Sequence, residues 1–160
     1  MGYWESLGKS DEWYTPKYIF DALGCRFDLD VASPAAPTFV PCSAVLTAAA
    51  LTTNWHGFVW MNPPYGGRNS IAAWLHVFFQ HGDGVALVPD RTSAPWFQKY
   101  VLYASSVLFV RGKIKFYRPD GSQGKAPGNG SALFAAGPRG DAAVRRAAQA
   151  GLGCLCTFER

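Results

Sequence analysis

Apolar residues recur along the chain in two rhythms. Ile19, Phe20 and Leu23 stand three and four apart, as do Ile71, Trp74, Leu75, Phe78 and Phe79. That spacing gathers side chains on one face of a helix. Thr15 is the expected cap of the first helix, with Pro16 in its opening turn and Gly24 as its stop. Asn69 or Ser70 is the expected cap of the second, and Gly82 its end. Unbroken apolar runs at Phe58–Met61, Val85–Val88 and Val107–Val110 read instead as buried strands. Phe27–Val31 reads as a short strand with Leu29 and Val31 on one face. Lys113–Tyr117 and Ala132–Ala135 are expected as two more strands, a candidate pair, and Leu155–Phe158 as a closing strand. Pro95–Ala104 and the Ala-rich stretch Asp141–Ala150 complete the helices. Residues 32–54, rich in Ala, Pro and Thr, read as a loop with one short helix. Residues 1–12 read as an irregular arm, and 118–131, dense in Gly and Pro, as a flexible loop.

Helices alternating with buried strands imply an α/β sandwich with a mostly parallel central sheet. One domain over residues 1–160 accounts for the length, and no internal repeat divides it. Ligands of such sheets bind beyond the carboxyl ends of strands, where strand order reverses. Two segments sit at such ends: Asp30-Val31-Ala32-Ser33 and Asn62-Pro63-Pro64-Tyr65. In the second, paired prolines restrict the backbone just past a strand. The Asn62 amide oxygen is thereby held in place, the Pro63 carbonyl is a second acceptor, and Tyr65 offers a flat ring. This set suits an exocyclic amine on a planar base. Such an amine is a poor nucleophile because its lone pair is spread into the ring. Two acceptors on its hydrogens favour a pyramidal nitrogen whose lone pair can face a methyl donor, so catalysis rests on orientation and on stabilising developing charge. The alternative is an ordinary proline-rich turn. The apolar strand before the tetrad, Gly66-Gly67 after it and the amphipathic helix beyond favour the chemical reading.

Composition narrows the class further. With 49% hydrophobic and 16% charged residues the chain is globular rather than disordered. A net charge of +4 fits either ordinary solubility or contact with a polyanion, and decides nothing without a motif. Cys25, Cys42, Cys154 and Cys156 fit no paired zinc spacing and read as reduced, buried thiols. His56, His76 and His81 form no ligand cluster, so no metal is expected. No apolar run reaches the length of a membrane span, and the first residues lack the pattern of a signal peptide. A cytoplasmic, intracellular location follows as the expectation, and the Gly2/Ser6 match to a myristoylation pattern is set aside.

The motifs together resemble a known family. Asp11-x-Trp13-x-Thr15-Pro16, Leu29-Asp30-Val31-Ala32, Trp55-x-Gly57 and Asn62-Pro63-Pro64-Tyr65-Gly66 are similar to the phage-type DNA N6-adenine methyltransferases. Pro89-x-Arg91-Thr92, Trp96-Phe97 and Gly112-x-Ile114-x-Phe116 extend the likeness, which covers roughly residues 11–135. The resemblance implies a Rossmann-like methyltransferase fold, S-adenosylmethionine as donor without a metal, and adenine N6 in double-stranded DNA as acceptor. It implies that Asn62, Pro63, Pro64 and Tyr65 form the catalytic loop. The donor pocket would be lined by Trp13, Thr15, Pro16, Asp30, Ala32 and Asn62, with Asp28 as the fallback acid. One departure is plain: Asp30-Val31-Ala32-Ser33-Pro34 stands where methyltransferases commonly carry a Gly-rich loop. Asp30 is thus either a donor-binding acid or a turn residue, and the donor role is preferred for an acid at a strand end. Trp13 and Tyr14 either stack on the donor's adenine or fill the core.

The acceptor must leave the base stack, because its amine is otherwise paired. Arg111, Lys113, Lys115 and Arg118 alternate with apolar residues and, with Lys125, form a DNA-facing patch or a solvated edge strand. Arg91 and Thr92 either meet DNA or cap the next helix, while Arg139, Arg145 and Arg146 read as solvated. Pro41-Cys42 is similar to the nucleophile dipeptide of cytosine-C5 methyltransferases, but the partner motifs are missing and Cys42 is assigned to the core. So short a chain leaves little room for a recognition domain, and a homodimer pooling two DNA-contacting surfaces is one solution. Rival readings are another amino acceptor (cytosine N4, RNA or a protein glutamine) and an inactive DNA-binding regulator. A nicotinamide oxidoreductase is disfavoured by the lack of Gly-x-Gly-x-x-Gly.

Overall fold

The continuous apolar runs pair in one sheet, and the residues spaced three and four apart cover its two faces. The computed structural model describes residues 13–34, 37–64 and 70–159. The expected arm over 1–12 lies outside them, as do Tyr65 and Asn69. In chain order the elements are α1 (Lys17–Leu23), β1 (Phe27–Asp30), β2 (Cys42–Val45), a 3-10 turn (Ala50–Thr52), β3 (Val59–Met61), α2 (Ile71–His81) and β4 (Gly84–Pro89). Then follow α3 (Pro95–Tyr100) with a 3-10 turn (Val101–Tyr103), β5 (Val107–Val110), β6 (Ser131–Ala136), α4 (Gly137–Gln149) and β7 (Gly153–Cys156).

The strand order is β2-β1-β3-β4-β6-β5-β7. The first four strands are mutually parallel. β6 is antiparallel to both β4 and β5, and β7 is antiparallel to β5. Strands β1 to β5 therefore point one way, with β6 inserted against that direction and β7 reversed at the edge. The sheet is mixed, with a parallel half that holds the candidate site.

One core layer joins Phe58, Trp60, Val85, Leu87 and Leu133 to α1 and α4. The other joins Val59, Met61, Ala86 and Val88 to α2 and α3. This strict alternation along β3 and β4 is the period of two that a strand imposes. β1 breaks it. The amides of Asp28 and Leu29 both approach the Phe58 carbonyl, at 2.8 and 3.4 Å. A doubled contact of this kind slips the face by one residue. Phe27 thus packs with α1 while Leu29 and Val31 pack on the α2 side. The slip turns Asp30 toward α1, on the same face as Trp60, its partner in register.

Helix ends follow the expected chemistry in part. Gly24 takes φ 64°, a left-handed conformation that only glycine adopts without strain, and its N–H bonds the Phe20 carbonyl at 3.0 Å. The cap of α1 is Pro16 rather than Thr15, since the extended backbone at Pro16 places Thr15 outside the helix. Ser70 occupies the cap of α2 without a side-chain hydrogen bond to the helix. Thr92 caps nothing: Ala94 is the cap of α3, and Gln98 donates to the Thr92 carbonyl.

Five expectations shift. The stretch 32–54 contains β2 as well as its short helical turn. β2 is an edge strand whose side chains are mostly exposed, so no apolar pattern announces it. Lys113–Tyr117 is not a strand, and β6 pairs with β4 and β5 instead. Among the described residues only Tyr117 makes bridges there, to Tyr14 and Gln123. α4 begins four residues before Asp141, with proline in its first turn, and β7 lies two residues earlier than expected. Finally, no cysteine is fully buried: all four are free, Cys154 is exposed and the rest are half-buried. Cys42, Cys154 and Cys156 lie on edge strands, which is why the core does not enclose them.

Candidate active site

After β2 the chain returns across β1 and enters the sheet as β3, on the other side. Connections thus leave β1 and β3 in opposite directions, and a crevice opens beyond their carboxyl ends. Asp30 ends β1, and Asn62 immediately follows β3. Asn62 is two residues beyond Trp60 and so continues its face. A shallow cleft, open to solvent, lies there. Its walls include Trp13, Thr15, Asp30, Ala32, Trp60 and Asn62, and Tyr14, Pro34, Thr38 and Val40 complete the lining.

Asp30 is 2% exposed. Its Oδ1 accepts the Ala32 N–H at 3.2 Å, the local turn that Asp favours at a strand end. Burial pushes its carboxyl up to about 6, against the lowering effect of the Ala32 amide and the Ser33 hydroxyl. No ion pair engages it among the described residues. A buried carboxyl without a cation among the described residues leaves an acceptor at the mouth of the cleft.

Asn62 is half-buried, and its Nδ2 donates to Thr15 Oγ1 at 3.2 Å. Pro63 is buried and Pro64 exposed, so the turn leads from the core to the surface within two residues. Thr15 is 4% exposed and reaches the cleft because Tyr14 is pinned by a two-way bridge to Tyr117, at 2.8 and 2.9 Å. Trp13 is covered from outside. The Arg118 guanidinium lies 5.2 Å from its ring centre, and a side chain at Gly124 would collide with the ring, at 2.5 Å from Cζ3.

Two of the sequence candidates lie elsewhere. Pro16 is buried at the start of α1 and does not line the cleft. The carboxylate of Asp28 accepts the Phe58 N–H at 2.7 Å and faces Arg139 at 3.8 Å, at the opposite end of the sheet. Conversely, Trp60 reads from sequence as core alone, although its place two residues before Asn62 marks it as a wall of the site. Pro34 closes the segment that stands in place of a Gly-rich loop, but Thr38 and Val40 carry no such signal, because only the path of β2 folds that loop back over β1.

Arg91, Arg111, Lys113, Lys115 and Lys125 are exposed, and Arg118 is half-buried over Trp13. Among the described residues no ion pair engages these six, whereas Lys17, Arg139 and Arg145 are each paired. The described residues hold no group of three or more His, Cys, Asp or Glu able to bind a metal ion. None of their helices is long and apolar enough to cross a membrane.

A parallel α/β half-sheet opening at its reversal point, with a buried acid on one strand end and a proline-stiffened amide on the next, fits the Rossmann-like methyltransferases. Comparison with known families narrows this class. The sequence matches the model for DNA N-6-adenine-methyltransferase (Dam) over residues 6–138, and the chain belongs to that family. No curated protein and no solved structure matches it.

Proposed function

We propose that the protein transfers a methyl group from S-adenosylmethionine to N6 of adenine in double-stranded DNA, with the target base extruded from the stack. The observation that carries this reading is the shared cleft: Asn62 and Asp30 line one opening from adjacent parallel strands. The donor set fits S-adenosylmethionine. Asp30 is a buried acceptor for a hydroxyl or ammonium group, and the rings of Trp13, Tyr14 and Trp60 suit a purine. Ala32 and Pro34 keep the wall low enough for close approach. When bound, S-adenosylmethionine supplies an electrophilic methyl group on a sulfonium.

The chain's own residues do the rest by orientation. Asn62 Oδ1 and the Pro63 carbonyl accept the two hydrogens of the adenine amine. They draw its lone pair out of the ring and stabilise the positive charge that grows on nitrogen. The proton leaves after the amine has become cationic, so no strong base is required. Tyr65 is the proposed stacking partner of the base, on the strength of the family tetrad alone. Arg91, Arg111, Lys113, Lys115, Arg118 and Lys125, which make no ion pair among the described residues, supply the phosphate contacts that hold the duplex. The test is to incubate the protein with S-adenosylmethionine and unmethylated duplex DNA, digest the DNA and identify the nucleosides. N6-methyladenine is expected. Methylation at cytosine N4, in RNA or on protein, or none at all, would refute the assignment.

A further inference from the structure

Asn62 lies just beyond the last residue of β3, where no strand pairing fixes its side chain. One hydrogen bond to its amide comes from far away in the chain, from Nδ2 to Thr15 Oγ1 at 3.2 Å across 47 positions of sequence. Thr15 is itself immobilised. It is buried, preceded by the Tyr14–Tyr117 bridge and followed by the fixed backbone of Pro16, where α1 begins.

A primary amide has two chemically opposite branches. A threonine hydroxyl can donate or accept, so the bond anchors the place of the amide; with Nδ2 turned toward Thr15, Oδ1 lies on the other side. An inverted amide would present N–H to an amine's N–H, two donors face to face. We propose that Thr15 is a positioning residue: it sets the orientation of the Asn62 amide for the reaction, rather than serving chiefly as a contact for the methyl donor. This inference rests on the function proposed above. It also ties the Tyr117 segment, which runs on from Lys113 and Lys115 into Arg118, to the reacting amide through one bridge and one hydroxyl.

Thr15→Val keeps the volume and removes the hydroxyl, whereas Thr15→Ser keeps the hydroxyl. Turnover and donor binding by calorimetry should be measured for both, with thermal unfolding as a check on folding. Thr15→Val is expected to lower kcat about 10- to 100-fold, the scale of a misaligned catalytic group, while the Kd for S-adenosylmethionine stays unchanged. Thr15→Ser should restore most of kcat. In an Asn62→Ala background, read under single-turnover conditions, Thr15→Val should cost nothing further, since the pair acts as a unit.

Loss of donor affinity with kcat retained would make Thr15 a donor contact and overturn the inference. An equal loss in the Asn62→Ala background, or no recovery with Ser, would assign a purely structural role and overturn it as well. Unimpaired methylation by Thr15→Val removes this inference alone. A wild-type protein that methylates no adenine removes the proposed function and this inference together.

Discussion

Asp28 and Asp30 lie two residues apart on one strand and belong to opposite ends of the sheet. At the amino end, Asp28 accepts the Phe58 amide and faces Arg139, which also binds Asp83. The Arg139 guanidinium rests 5.1 Å from the Phe58 ring centre, and His81 Nε2 meets the Gly57 carbonyl at 2.7 Å. Charges there satisfy one another. At the carboxyl end, Asp30 is buried with no cation, and the nearby basic side chains form no ion pairs among the described residues. The amino end spends its polar groups on holding strands and helices in place. The carboxyl end keeps acceptors and cations for molecules outside the chain, as expected of a sheet whose ligands bind beyond its strand ends.

The contrast can be broken most sharply at Asn62. Replacing it with Ala should reduce methyl transfer about 10³-fold, the scale of losing one preorganised acceptor in an active site, with little change in melting temperature. A label-incorporation assay decides it, and near-normal transfer would remove the carboxyl end from the chemistry.

Next in size is the acidity of Asp30. Its folded value of about 6 lies above the ordinary 3.8, so the folded state binds a proton more tightly than the unfolded one. The resulting stability is fully present below about pH 3.8 and is lost as pH rises through about 6. That gap corresponds to about 3 kcal/mol. Asp30→Asn, which stays neutral, should therefore gain stability relative to the wild type as pH rises from about 4 to about 7 in denaturant titrations without ligand, and keep a constant margin above that. Donor affinity should move the other way, tightening in the wild type as pH passes 6 and staying flat and weak in Asp30→Asn. Parallel stability curves for the two proteins would show that this acid is not held as described.

Asp28→Ala should do the reverse of Asp30→Asn. It strands the Phe58 amide and should cost about 1–3 kcal/mol of stability, while leaving donor binding intact. The exposed Arg139 pair adds little to that figure. A loss of donor affinity in Asp28→Ala would merge the two ends into one functional unit.

The smallest effect concerns salt. Replacing Lys113, Lys115 and Lys125 with Ala should flatten the dependence of log DNA affinity on log salt, by about one for each of these lysines that neutralises a phosphate. Arg139→Ala should leave that slope alone. Equal slopes in all variants would place the duplex on another surface.

Much of this was legible in residue order. Chain rhythm located β1, β3, β4, β5, α1 and α2, because each buries a face and must show the matching period, while α4 was marked by its run of alanines. The Asn62-Pro63-Pro64 turn was legible because proline restriction and an amide acceptor are local properties. What escaped is what other segments decide. β2 shows no apolar rhythm because it is an edge held by backbone bonds to β1, and Lys113–Tyr117 has the alternation of a strand without a neighbour to pair with.

The sequence by itself determined the elements, the candidate loop and the excess of basic side chains, all of which follow from short-range periodicity and residue chemistry. Only the tertiary structure decided between Asp28 and Asp30, since a slip at the Phe58 carbonyl sets which acid faces the cleft. It alone also turned Thr15 from an expected helix cap into the partner of Asn62, because a hydrogen bond spanning 47 residues depends on packing that no local pattern encodes.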